Sequence, residues 1–214
     1  METGSLLEFR ERVSLKQTDI GYLADLVLRD PTVLAAALDN LTEKNETIRY
    51  NSYRAIKSIT ETQPTLLYPY WDFFISQLQS ENSYHKLVGI HILADLASTD
   101  SEDRFEKIFE PFYHLLHHRS MVVVSHVCLA SGRIMRFKPG LSRKIEDLLL
   151  DIDRFIGKQK HKDLIKGAVL EAFTEARSLT TRKKDIRYFA TRLLASSDSP
   201  KSRKLAIKYL EDPD

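Results

Sequence analysis

The sequence predicts an all-α chain of stacked helical hairpins. Three observations predict it. Apolar residues recur at steps of three and four nearly throughout, the spacing of one helix face. Gly and Pro number only 7 each in 214 residues, about half the usual share, too few turn residues for a β-sandwich or a Gly-rich phosphate loop. No stretch alternates apolar and polar residues long enough to read as a half-buried strand. Hydrophobic residues at 43% and charged residues at 29% describe a globular chain, not a disordered one. At this length roughly 70% of the unfolded surface can be buried, so a single domain over residues 1–214 needs no staple.

In chain order, residues 1–18 read as an N-terminal cap or a poorly ordered lead, and 19–210 as helical hairpins. Leu67, Trp71, Phe74 and Leu78 form one stripe, with Pro69 near its start, where a first-turn proline is tolerated. Phe105, Ile108, Phe109, Phe112 and Leu116 form a second, and Pro111 inside it predicts a kink or a late helix start. Met121 to Val124 is a β-branched run, but Val127, Cys128, Leu129 and Ile134 continue it without a turn signal, so it reads as a buried helix. Ile145, Leu148, Leu149, Ile152 and Ile156 form a third stripe. Breakers at Asp30-Pro31, Gln63-Pro64, Ser80–Ser83, Ser98–Ser101, Lys138-Pro139-Gly140, Gly157–Lys162 and Ser196–Pro200 divide the chain into about ten helices.

The helices repeat. Ile48-Arg49 is followed by Ser52 and Ala55-Ile56; His85-Lys86 by Gly89 and Ile92-Leu93; Met121 by Ser125 and Cys128-Leu129; Arg203 by Ala206 and Tyr209-Leu210. Leu164 to Ala168 is a looser copy. The small residues at 52, 89, 125, 168 and 206 are spaced by 37, 36, 43 and 38, the period of a two-helix repeat. A small side chain belongs where two helices cross most closely, since a larger one holds them apart. Ile186-Arg187, Ala190 and Leu193-Leu194 fit the pattern but fall off the period.

This pattern resembles HEAT repeats, whose second helix typically begins Val-Arg and then carries Ala and Ala-Leu. Ile48-Arg49, Ser52 and Ala55-Ile56 are the nearest copy, and the resemblance covers about residues 20–210. It implies a right-handed α-α superhelix, a HEAT- or armadillo-like solenoid of about five hairpins. Family members often place an Asp six residues before the Arg; here those positions hold Glu43, Ser80, Leu116 and Ser197. That departure leaves HEAT and armadillo-like stacks both open. One HEAT-like family, the alkyl-base DNA glycosylases, lines a cleft with tryptophans, an aspartate and arginines. This chain has one Trp, Trp71, beside Asp72. Adjacent helical residues point about 100° apart, and Trp71 lies on the core stripe, so the pair reads as core and surface.

Candidate chemistry is sparse, and neither an enzyme nor a cofactor is expected. His114, His117 and His118 share roughly one helix face, as metal ligands can. They lack the intervening Glu of a zinc hydrolase helix, and histidine also suits a helix C-terminus. The single cysteine, Cys128, sits among apolar residues with no cationic neighbour and reads as a small hydrophobe. No run of about 18 apolar residues exists, and Met1 to Leu15 carries Glu2, Glu8 and Glu11 without a long apolar core. No membrane is expected as partner, and the cytoplasm is the expected compartment.

Charge is the most informative feature. Residues 1–107 hold 11 Lys and Arg against 17 Asp and Glu; residues 108–214 hold 21 against 13. The basic half contains four clusters. They are Arg133, Arg136, Lys138, Arg143 and Lys144; then Lys158, Lys160, Lys162 and Lys166; then Arg182, Lys183, Lys184 and Arg187; then Lys201, Arg203 and Lys204. A solvated surface is the plain reading. The functional reading is a binding surface at Lys158, Lys160, Lys162, Lys166, Arg182, Lys183, Lys184, Arg187, Arg203 and Lys204. Its expected partner is an acidic or phosphorylated protein, with nucleic acid as the alternative. A scaffold or adaptor follows. Far-UV circular dichroism should report a predominantly helical chain; a helix content below about half would contradict the all-α prediction, given an ordinary average of about a third.

Overall fold

The computed structural model describes residues 3–157 and 162–212; 84% of these are helical, and no strand occurs among them. The residues cluster as two compact units, Met1–Thr99 and Asp100–Asp214.

The first unit holds α1 (Gly4–Val13), α2 (Ile20–Arg29), α3 (Pro31–Asp39), α4 (Glu46–Thr62), α5 (Pro64–Leu67), α6 (Trp71–Gln79) and α7 (Ser83–Leu96). The breakers act as caps. Asp19, Asp30, Asn45 and Asn82 each accept a hydrogen bond from a backbone N–H of the helix that follows, the usual task of an N-cap. Pro31 and Pro64 stand in the first turns of α3 and α5. Residues 4–13 are a packed helix, with Phe9 and Val13 buried against the unit's core. Asn51 of α4 fixes the end of α1: its Nδ2 donates to the carbonyls of Val13 and Leu15, both at 2.9 Å. The Val13 carbonyl is one that a helix C-terminus otherwise leaves unpaired, and the Leu15 carbonyl belongs to the turn that follows. Farther along, Thr60 of α4 donates to Asp95 of α7 at 2.8 Å, and Lys57 pairs with the same carboxylate at 2.9 Å.

The second unit holds α8 (Arg104–His114), α9 (Met121–Phe137), α10 (Ser142–Leu150), α11 (Ile152–Ile156), α12 (Lys162–Glu175), α13 (Lys183–Ser196) and α14 (Pro200–Glu211). Helix α9 packs on α12, α12 on α14, and α13 on α14. Fourteen α-helices among the described residues exceed the ten expected, because 3-10 turns and single residues split what periodicity reads as one helix. Tyr68–Tyr70 parts α5 from α6, and Asp151 parts α10 from α11. Helix α8 starts at Arg104 and runs through Pro111, so no late start occurs. Lys107, whose carbonyl the proline leaves without its helical N–H, and Pro111 are both exposed, so water reaches that carbonyl.

The apolar stripes are the core. Leu67, Trp71, Phe74 and Leu78 are buried in the first unit, as are Phe105, Ile108, Phe109, Phe112 and Leu116 in the second. The small-residue register is met in part. Ser52 is fully buried and accepts from Asn40 at 3.1 Å. Gly89 lies at a close crossing of α7 with α6: a Cβ there would stand 2.8 Å from the Phe74 carbonyl oxygen. On α9 the close approach is at Gly132, not Ser125. A Cβ at Gly132 would meet the Ala172 carbonyl oxygen at 2.9 Å, while Ser125 is half-buried. Helix α9 is 17 residues long, and its pressing contact with α12 falls two turns beyond the expected position, on the same face. On α12 and α14 the tight pair is Gly167 and Ser202, beside the expected Ala168 and Ala206. The off-period Ile186, Ala190 and Leu193 are buried on α13, so the pattern marks a buried helix face whether or not it falls on the expected period.

Gly89→Ala should destabilise the fold by roughly 1–3 kcal/mol, because its methyl meets backbone that can yield only by moving α6. Gly140→Ala, which opens onto empty space, is the control and should be near neutral. Urea denaturation of both variants checks this.

Candidate interaction surface

The basic residues of the second unit fall into two groups. Lys158 and Lys160 lie outside the described residues. Several of the rest are bound internally. Lys166 pairs with Asp153 at 2.8 Å and keeps only 14% of its side chain exposed. Arg182 donates to Asp185 and to Asp147, each at 2.7 Å, and these carboxylates hold its pKa above the ordinary arginine value, Asp185 foremost. Arg187 donates to the Leu210 carbonyl at 3.2 Å, and Arg203 to the Leu194 carbonyl at 2.9 Å. Both arginines therefore serve the last carbonyls of a neighbouring helix, α14 and α13 respectively, where a cation also meets the negative end of the dipole. Lys162, Lys184 and Lys204 are exposed and Lys183 is half-buried.

Lys138 of the first cluster is not a surface charge. It is buried, with its Nζ 2.9 Å from Asp100, 3.0 Å from Asp103 and 3.2 Å from Glu106. Burial opposes its charge, but hydrogen bonds to the three carboxylates prevail and hold its pKa above the ordinary lysine value. Asp100 in turn accepts from the backbone N–H groups of Arg104 and Phe105 at 3.0 and 2.9 Å, capping α8.

The structure brings Lys166 and Arg182 together on one cleft of about 240 Å³, bounded by the end of α10, α11, the start of α12 and α13. Sequence reasoning missed its other residues. Tyr188 presents a ring that is 66% exposed, and the Arg192 guanidinium stands 5.9 Å from its centroid. Phe189 adds apolar surface, and Asp153 and Asp185 balance part of the positive charge. The signal was available: an aromatic and an arginine four residues apart share a helix face, and Tyr188 lies off the buried stripe of Ile186, Ala190 and Leu193.

The other candidates resolve as follows. His114 and His117 stand 5.4 Å apart, ring to ring, beside a cleft of about 470 Å³ between α8 and α10–α11. His118 is turned into the loop, where its Nδ1 accepts from the Ser120 N–H at 3.0 Å. Among the described residues no three His, Cys, Asp or Glu side chains are grouped to hold a metal. Trp71 is fully buried, so neither face of its indole is open to a base, and Asp72 is exposed. Cys128 is buried, and burial pushes its thiol pKa up, opposite to what a nucleophile needs. No helix among the described residues is long and apolar enough to cross a membrane.

No protein-family model matches the chain, and no curated protein does. Among solved structures, the chain is similar to the crystal structure of an engineered protein, a Northeast Structural Genomics Consortium target, at a TM-score of 0.55 and 15% identity. That likeness covers 98% of this chain and 96% of the other. At such low identity it is a likeness of fold alone.

Lys183→Glu with Lys184→Glu should leave stability within about 0.5 kcal/mol of the parent, as for ordinary surface changes. Arg182→Glu should cost roughly 1 kcal/mol or more, because it turns two ion pairs into repulsions. Thermal melts of the two variants at equal salt separate the bound arginine from the free lysines.

Proposed function

We propose that the chain is a non-catalytic, HEAT-like helical-repeat protein, a right-handed solenoid of about five hairpins, that serves as a scaffold or adaptor in the cytoplasm. Its partner is another protein that offers an acidic or phosphorylated segment. The observation that carries this reading is the α13 cleft. It joins an exposed tyrosine ring to Arg192, Lys166 and Arg182, three cations against Asp153 and Asp185. Tyrosine and arginine are the residue types that most often dominate binding energy at protein interfaces. The paired carboxylates hold Lys166 and Arg182 in place before a partner arrives, which lowers the ordering cost of binding. The free lysines Lys162, Lys183, Lys184 and Lys204 then contribute mainly to the rate of encounter, as charges outside an interface core do. The repeat reading is supported by the spacing of polar links within each unit. Asn51 to Val13, Thr60 to Asp95, Lys138 to Asp100, Glu146 to Thr181 and Ser202 to Asp163 join residues 35–39 apart.

The test is affinity capture with the full chain and with Tyr188→Ala/Arg192→Glu, each with and without nuclease and phosphatase, followed by a measured Kd for the captured partner. The expected partner is an acidic or phosphorylated protein that survives nuclease, and the double variant should bind it about 30-fold more weakly, as loss of a hot spot does. Retention that vanishes with nuclease would contradict the reading in favour of nucleic acid. Equal binding by the double variant would contradict the cleft.

A further inference from the structure

The first unit is acidic overall, with nine Lys and Arg against thirteen Asp and Glu over residues 1–99. It nevertheless contains a local concentration of the opposite sign. A cleft of about 480 Å³ is lined by Lys16, Arg49 and Arg54, by Tyr50 and Tyr84, and by a single carboxylate, Glu46. Its volume lies in the range of ordinary ligand sites, 300–1,000 Å³ or so.

The cleft is built on rigid parts. Arg49 is fixed by its Nη1, which donates to the Glu43 carbonyl at 2.8 Å, and its guanidinium lies 4.5 Å from the centre of the Tyr84 ring. Burial raises the Tyr84 pKa to about 12, so its phenol stays neutral and adds no negative charge at physiological pH. Asn51 ties down the carbonyls of Val13 and Leu15, and so holds the adjoining Lys16 beside α4. Tyr50 is 53% exposed, and Arg54, also exposed, stands 5.7 Å from its ring centroid. Glu46 stands 3.8 Å from Arg49 and its side chain is 90% exposed, so it can swing away from an incoming anion. Arg49 is committed to the protein; Arg54 and Lys16 are free to bind.

We propose that this cleft binds a short acidic peptide segment of a partner protein, with a carboxylate or phosphoryl side chain clamped by Arg54 and Lys16 and the peptide laid against Tyr50. An arginine fork takes either anion in two parallel hydrogen bonds, and a tyrosine ring offers apolar area at little entropic cost. The surrounding charge decides against nucleic acid. At physiological salt, charges interact over about 8 Å. A short peptide places its anions within reach of the three cations, whereas a longer strand brings many more phosphates to a unit whose net charge is itself negative. This site shares no residue with the α13 cleft, and its test does not involve that cleft, so either can fail alone.

Nitrogen-15 NMR of the full chain can test this with four probes: blocked peptides Ala-Glu-Glu-Ala, Ala-phosphoserine-Glu-Ala and Ala-Ala-Ala-Ala, and a short oligothymidine. The two acidic peptides should shift amides of residues 46–54 and Tyr84, and the alanine peptide should not. Arg54→Glu with Lys16→Glu should weaken them about tenfold or more, as loss of close charge pairs does. Both residues are exposed, so an unchanged helical spectrum verifies folding of the variant. Tighter binding of the phosphoserine peptide would assign the site to phosphorylated segments, and equal binding to acidic ones. Shifts confined to other residues, equal binding by the variant, or tighter binding of oligothymidine in this cleft would overturn the proposal.

Discussion

The fold depends on buried polar side chains that satisfy backbone groups at the ends of other helices. Glu146 of α10 is fully buried, and its carboxylate accepts from the Thr181 N–H at 2.7 Å, the Thr181 hydroxyl at 2.7 Å and the Arg182 N–H at 3.2 Å. A buried carboxylate is costly unless its lone pairs are met, and a loop leading into a helix leaves N–H groups that need acceptors. Each solves the other's problem, and the negative charge also suits the N-terminus of α13. Asn51 does the same for the end of α1, and Lys138 with Asp100 for the start of α8. Apolar packing alone would let one helix slide along its neighbour; these bonds allow a single register.

The helical character and most of the core are legible in the sequence, because they follow from local periodicity. The stripe at Leu67, Trp71, Phe74 and Leu78 and the buried helix at Met121 are examples. The exact crossing points are less legible. Ser125 and Gly132 lie on the same face of α9, and only the position of α12 decides which of them meets backbone. The small residues thus mark the packed face of a helix, while the position of the closest contact along that face can move by two turns.

Charged residues were the least legible part of the candidate site. Lys138, Arg143 and Lys144 look alike in a basic cluster, yet Lys138 is buried among three carboxylates while Arg143 and Lys144 are exposed. Arg187 and Arg203 serve carbonyls 23 and 9 residues away. Nothing local to an arginine tells whether a helix end will lie within reach. The two clefts show the converse. Each gathers arginine and tyrosine from one helix with a cation or ring from another, so a composition scan along the chain dilutes them. The cleft on α4 is the clearer case, since it sits in the half of the chain whose overall charge points the other way.

The most direct test of these helix-to-helix polar links is amide hydrogen exchange at Thr181 and Arg182, in the parent and in Glu146→Ala. The account predicts slow exchange at both amides in the parent. In the variant it predicts faster exchange there and at the start of α13, with a loss of global stability of about 1–3 kcal/mol for the stranded donors. Fast exchange at both amides in the parent, or a variant with unchanged protection and stability, would contradict it.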